Sequence, residues 1–137
     1  IGLMGAAMVG RLQSLGYSLT VMGNVSRPRI DAAVAKGAVE AVNARELAKA
    51  SDIVMLCMDT SASVESRMNG VDGVIAGLKP GVIVIDFGTS LPESTKVLGK
   101  KSSRSWGNLS GRSTEPNTLT CGGWTAEHHV LRRSGCI

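Results

Sequence analysis

Gly2 and Gly5 bracket Leu3 and Met4 at the head of a stretch where Met4, Met8, Leu12 and Leu15 recur at helical spacing. Arg11, Gln13 and Ser14 take the other side. A helix that opens on glycines leaves its first N–H groups approachable, and its dipole favours negative charge there, so the pattern suits a phosphate seat. An ordinary glycine turn feeding a helix accounts for Ile1–Gly5 equally well on its own, because a G-x-G-x-x-G fingerprint needs one more glycine before Ile1. The decision falls to residues further along.

Where a dinucleotide lies over such a turn, an acid about 20 residues on accepts the ribose 2′-hydroxyl of NAD. Gly23-Asn24-Val25-Ser26-Arg27 holds no acid. Asn24, Ser26 and Arg27 suit a 2′-phosphate instead, which favours NADP over NAD; a solvated basic loop explains Arg27 and Arg29 at equal cost.

Other chemistries find little support. The three cysteines form no CxxC and no metal-ligand spacing with a His pair, so neither a disulfide framework nor a zinc site is expected. Adjacent His128 and His129 fit no standard zinc arrangement, and no metal ligand is assigned. No apolar run approaches the roughly 20 residues of a membrane span, and no basic segment precedes an apolar stretch with a cleavage site. The expected address is cytoplasmic, with no membrane and no nucleic-acid partner. The net charge of +4 is unevenly placed: residues 1–99 carry nine basic and nine acidic side chains, while 100–137 carry six basic residues against Glu115 and Glu127. Both Trp, both His and Cys121 and Cys136 also lie after Gly99, and so sharp a break marks a boundary.

The elements that must hold these residues alternate. Helices are expected over Gly5–Gly16, Ile30–Lys36, Ala44–Ala50, Val64–Met68 and Val74–Leu78, and from Pro92. Asn43 with Glu46 three residues on reads as a capping box. Strands are expected over Ser18–Met22, Val39–Val42, Asp52–Met58 and Val82–Phe87, the last two as continuous apolar runs buried on both faces. Strands alternating with helices imply an α/β fold, a doubly wound parallel sheet of Rossmann type. The chain opens inside a turn, so that sheet is expected without its first strand, and residues 100–137, which show no period, as an irregular tail.

IGLMGAAMVGRLQSLGYSLTV resembles the N-terminal glycine motif and first helix of the β-hydroxyacid dehydrogenase family, which shares its NADP-binding domain with 6-phosphogluconate dehydrogenase. Asn24–Ala38 keeps that family's spacing from its Asn-Arg-Thr loop to a Gly-Ala pair, with Val25 in place of the Arg. DIVMLCMD is similar to its strand ending in Met-Leu-Pro-Asp, and Asp86-Phe87-Gly88-Thr89-Ser90-Leu91-Pro92 to its Asp-x-Ser-Thr-x-x-Pro pattern. The resemblance implies an NAD(P)-dependent oxidoreductase moving a hydride to or from a small β-hydroxyacid or semialdehyde. It implies cofactor contacts at Gly2, Leu3, Met4 and Gly5 for the pyrophosphate, Asn24, Ser26 and Arg27 for the adenosine end, and Cys57, Met58 and Thr89 for the nicotinamide half.

The family's general acid/base is a Lys on a later helix. Lys96, Lys100 and Lys101 come too early in its order, so no catalytic residue is assigned and no turnover is expected of this chain. Full-length members are usually homo-oligomers that bind substrate through a second domain. A non-catalytic dinucleotide-binding module and the cofactor domain of an imine reductase-like enzyme are the alternative readings.

The family's Asp-Ala-Pro motif is also absent from residues 100–137, yet it is available one base away. Residues 106–116 translate back to codons that, read one nucleotide forward, permit Gly-Gly-Thr-Tyr-Leu-Asp-Ala-Pro-Leu-Ser. Residues 102–105 likewise permit Val-Ala-Ala-Ala, and 124–130 permit Gly-Leu-Leu-Asn-Ile-Met. Three ordered matches in one frame divide the chain into a partial dinucleotide-binding domain, 1–99, and an out-of-frame tail, 100–137, with the shift at about Lys101.

Overall fold

In the computed structural model, helix α1 (Leu3–Ser14) begins where Gly2 leaves extended backbone and ends on a glycine stop. Gly16 takes φ +81°, and the amides of Gly16 and Tyr17 bond back to the carbonyls of Gln13 and Leu12, closing the orphan carbonyls of the last turn. Helix α2 (Pro28–Ala35) opens on a proline in its first turn and stops in the same way at Gly37, φ +93°. The structure describes residues 1–23, 27–104, 118–120 and 134–136.

Helix α3 (Ala44–Ala50) carries the expected cap: Asn43 Oδ1 accepts the Glu46 N–H at 2.9 Å. The Glu46 carboxylate turns instead to Lys49, whose Nζ donates to it at 2.8 Å and holds its pKa below the ordinary value. Helices α4 (Ser61–Met68), α5 (Val74–Gly77) and α6 (Pro92–Arg104) follow. α6 runs across the composition break at Gly99.

The strands are β1 (Leu19–Val21), β2 (Val39–Glu40), β3 (Ile53–Leu56), β4 (Ile83–Asp86), β5 (Thr118–Thr120) and β6 (Ser134–Cys136). They form one sheet in the order β2-β1-β6-β3-β4-β5, parallel throughout except for β5 against β4. The doubly wound α/β fold expected from the sequence is therefore present. Within residues 100–137, residues 118–120 extend the sheet at one edge and 134–136 enter its centre. There β6 pairs with β1 (Val21 beside Cys136) and with β3 (Met55 beside Cys136). The position between β1 and β3 is thus filled, and not open. A gap there would leave the facing N–H and C=O groups of both strands unpaired inside the sheet, and β6 meets that demand with main chain alone.

Strand alternation sorts the core onto two faces. Val54 and Leu56 join Leu47, Val64, Met68, Val74, Val84 and Leu98 in one cluster, so α3, α4, α5 and α6 cover that face. Met55 points the other way, onto a cluster of Val9, Leu19, Val21, Ile30 and Ala33 beneath α1 and α2. Ser51 and Ser102 are buried polar groups inside this framework, each donating its hydroxyl to a carbonyl four residues back at 2.8 Å.

Candidate functional site

From β1 the chain moves outward to β2 and then returns across the sheet to β3. This reversal creates a crevice at the strand carboxyl ends, the place where doubly wound sheets receive ligands. The short link from α1 to β1 makes the two run in opposite directions, so Gly2–Gly5 sits at the end of the sheet where Val21, Leu56 and Asp86 finish.

The head of α1 leaves room for an anion. Gly2 holds φ −76° and ψ −175°, no side chain caps the helix, and the first turn has no acid. Ala6 N–H bonds Gly2 O at 2.9 Å, which starts the helical ladder and leaves the earlier amides outside it. A side chain at Gly2 would meet no atom within 4 Å, so the space over this turn is open, and Leu3 and Met4 are 78% and 65% exposed. At Gly5 a Cβ would lie 2.9 Å from the Ile1 side chain, so glycine there keeps the turn tight. Bare amides, open space and no competing carboxylate fit a pyrophosphate.

Cys57 and Met58 leave the end of β3. Cys57 is a half-buried free thiol, and Met58 rests on the α3–α6 face of the core. Thr89 is exposed in the loop that follows β4. The anchor of that loop is the buried Asp86. Its Oδ1 accepts the Gly88 N–H at 2.8 Å, and its Oδ2 accepts the Ser90 hydroxyl. Leu91 N–H then donates to Ser61 Oγ at 2.9 Å, which ties the loop to the head of α4. Gly88 passes so near the β3 exit that a Cβ would stand 2.7 Å from Met58 O. The two loops are in contact, and Thr89 is displayed between two residues that Asp86 holds.

Arg27 stands at the N-cap of α2, which starts two residues before the expected Ile30, and its guanidinium is occupied. Nη1 donates to Glu40 Oε1 at 2.6 Å, and Nη2 donates to Glu40 Oε2 at 3.0 Å and to Asp31 Oδ1 at 2.9 Å. These bonds raise the Arg27 pKa still further, and the Arg27 hydrogen bond holds the Glu40 carboxyl below its usual range. Asn24 and Ser26 lie outside the described residues.

Sequence reasoning missed Asp86 and Glu40. An Asp with Gly two and Ser four residues on is a local signal of a side chain bonding its own loop. Glu40 gives no local signal, because its link to Arg27 follows from strand register. Among the described residues no three His, Cys, Asp or Glu side chains gather as a metal site, and no helix is long and apolar enough to cross a membrane. An open cavity of about 370 Å³ lined by Lys49, Ser51, Asp52, Lys79 and Val82 lies at the opposite end of the sheet, before β3 and β4 begin.

The fold and this crevice together define a nicotinamide-dinucleotide-binding domain of Rossmann type. Residues 1–107 match the family model of the NAD binding domain of 6-phosphogluconate dehydrogenase. A probable 3-hydroxyisobutyrate dehydrogenase-like 2, mitochondrial, from Arabidopsis thaliana is 40% identical over 92 residues, 67% of this chain and 30% of that protein. Among solved structures, Psf3 in complex with NADP+ and 2-OPP superposes with a TM-score of 0.68 at 30% identity, over 76% of this chain and 37% of its own. An imine reductase from Pseudomonas sp. shares the fold, with a TM-score of 0.57 at 24% identity over 74% of this chain and 34% of its own. The chain belongs to the β-hydroxyacid dehydrogenase family, through the dinucleotide-binding domain that this family shares with 6-phosphogluconate dehydrogenase. It spans about a third of the length of the curated relatives it matches.

Proposed function

We propose that this chain is the cofactor-binding part of an oxidoreductase that uses NADP in preference to NAD and acts on a small β-hydroxyacid or semialdehyde. The observation that carries the reading is the uncapped, glycine-headed α1 at the carboxyl end of a parallel sheet, beside the exits of β3 and β4. Gly2, Leu3, Met4 and Gly5 would hold the pyrophosphate through main-chain N–H groups. Cys57, Met58 and Thr89 would border the nicotinamide half, and Arg27, with Asn24 and Ser26, the adenosine phosphate. When bound, the nicotinamide supplies the hydride acceptor or donor; the protein's part is to bind and orient it. The preference for NADP is supported by the absence of an acid between Met22 and Arg27, and by the NADP+ in the Psf3 complex.

None of the described lysines lies in the segments that leave the strand carboxyl ends, so no proton-transfer residue is assigned to this chain. Purified chain is expected to bind NADPH and to reduce no semialdehyde. Calorimetric titration with NADPH and a turnover assay with tartronate semialdehyde test both halves: no binding by folded chain contradicts the first, and measurable turnover the second. We further propose that residues 100–137 are read out of frame, which DNA lacking an Asp-Ala-Pro in the next frame would disprove. The cytoplasmic address is part of the same proposal. The mitochondrial name of the plant relative makes cell fractionation its test.

A further inference from the structure

The adenosine end of the crevice holds an acid in an unexpected place. Glu40 is not on the loop after β1 but on β2, the edge strand, where register sets it beside Val21, the last residue of β1. From there its carboxylate reaches over the end of β1 and fills both terminal nitrogens of Arg27, at 2.6 and 3.0 Å. Gly23 is the floor beneath this pair: a Cβ there would lie 3.0 Å from Glu40 Oε1 and 3.3 Å from Arg27 Nη1. A bidentate carboxylate takes the same face of a guanidinium that a phosphate would take. Both side chains stay partly open to solvent, with Arg27 55% and Glu40 33% exposed, so an incoming group can compete for the fork.

We propose that Glu40 is the residue that sets the choice between NADP and NAD, by competing with the 2′-phosphate for Arg27. The inference rests on the dinucleotide reading given above. With NAD, the Arg27–Glu40 pair stays intact and the ribose hydroxyl meets an already neutralised surface. With NADP, the phosphate must displace Glu40 from the fork, and the displaced carboxylate remains beside a dianion. Arg27 therefore gives the chain its affinity for NADP, and Glu40 limits it. Asp31 holds only Nη2, from within α2, and limits it less.

The test is calorimetric titration of the full chain with NADP+ and NAD+ at one ionic strength, comparing the ratio of the two affinities. E40Q keeps the size of the side chain and removes its charge. It should raise the NADP-to-NAD ratio about tenfold, the scale of one or two charge contacts at about 4 Å in a solvated site. E40D, which is too short to span the fork in the same way, should move the ratio in the same direction by less. R27Q should lower the ratio, and in its background E40Q should gain less than about threefold, because the competition has been removed. Circular dichroism confirms that each variant is folded. An unchanged ratio in E40Q and E40D, or equal gains with and without Arg27, overturns the assignment while leaving the dinucleotide reading intact. Failure of the folded wild-type chain to bind either cofactor overturns both.

Discussion

Substituting Gly88 by alanine tests whether the two loops of the crevice are held as a unit. The added Cβ would stand 2.7 Å from Met58 O and 3.1 Å from Asp86 Oδ1. Ordinary contact begins near 3.4 Å, so the loop after β4 must retreat by roughly 0.7 Å from the exit of β3. Neither neighbour can turn aside. Met58 O is main chain, and Asp86 Oδ1 is fixed by the Gly88 N–H that it accepts at 2.8 Å. Overpacking against atoms of this kind costs about 1–3 kcal/mol. At roughly 2–8 °C per kcal/mol over the domain sizes that bracket this chain, thermal unfolding followed by circular dichroism should show a fall of at least about 2 °C. Calorimetry with NADPH on the same variant should show weaker binding, because Thr89 moves away from Met58 with the loop. A Tm within about 1 °C of wild type, together with an affinity within about twofold, would refute the reasoning that Gly88 is there to permit this approach.

Three further outcomes follow from the same packing. Asn43→Ala removes the acceptor that caps α3 and should cost about 0.5–2 kcal/mol in urea unfolding, because the Glu46 amide loses its partner. Leu47→Ala, at a fully buried position of the α3–α6 core, should cost about 2–5 kcal/mol in the same assay. The Glu40 carboxyl, held below its usual range by Arg27, should titrate by carbon-detected NMR at lower pH than a model glutamate, whose pKa is about 4.3. The sign is that of a depressed acid: any stability from the pair is present above the unfolded pKa and is lost as pH falls through the folded one.

The fold was legible wherever a local rule decides a boundary. Helix α3 falls on its expected residues because Asn43 is an N-cap and the apolar positions behind it repeat. Gly16 and Gly37 stop α1 and α2 because both take positive φ. Strand ends were less legible. The run from Asp52 to Met58 reads as one strand, yet β3 ends at Leu56, and Cys57 and Met58 lie beyond it. Hydrophobicity alone does not distinguish a side chain in the sheet from one lining a site beside it. The head of α1 was legible because glycines announce it. Glu40 was not, because only the register of β2 on β1 brings it to Arg27. The strands at 118–120 and 134–136 were not legible either: three residues carry no period, and their place depends on main-chain edges far away in sequence.

The proposed dinucleotide would lie across the carboxyl ends of β1, β3 and β4 with its pyrophosphate on α1. Amide chemical-shift mapping of the ¹⁵N-labelled chain during titration with NADPH tests it most directly. Saturable shifts are expected at Gly2, Leu3, Met4, Gly5, Cys57, Met58 and Thr89, with little change at Lys49, Asp52 and Lys79 at the far end of the sheet. Shifts confined to that far end, or none at the α1 amides of a folded chain, would contradict it.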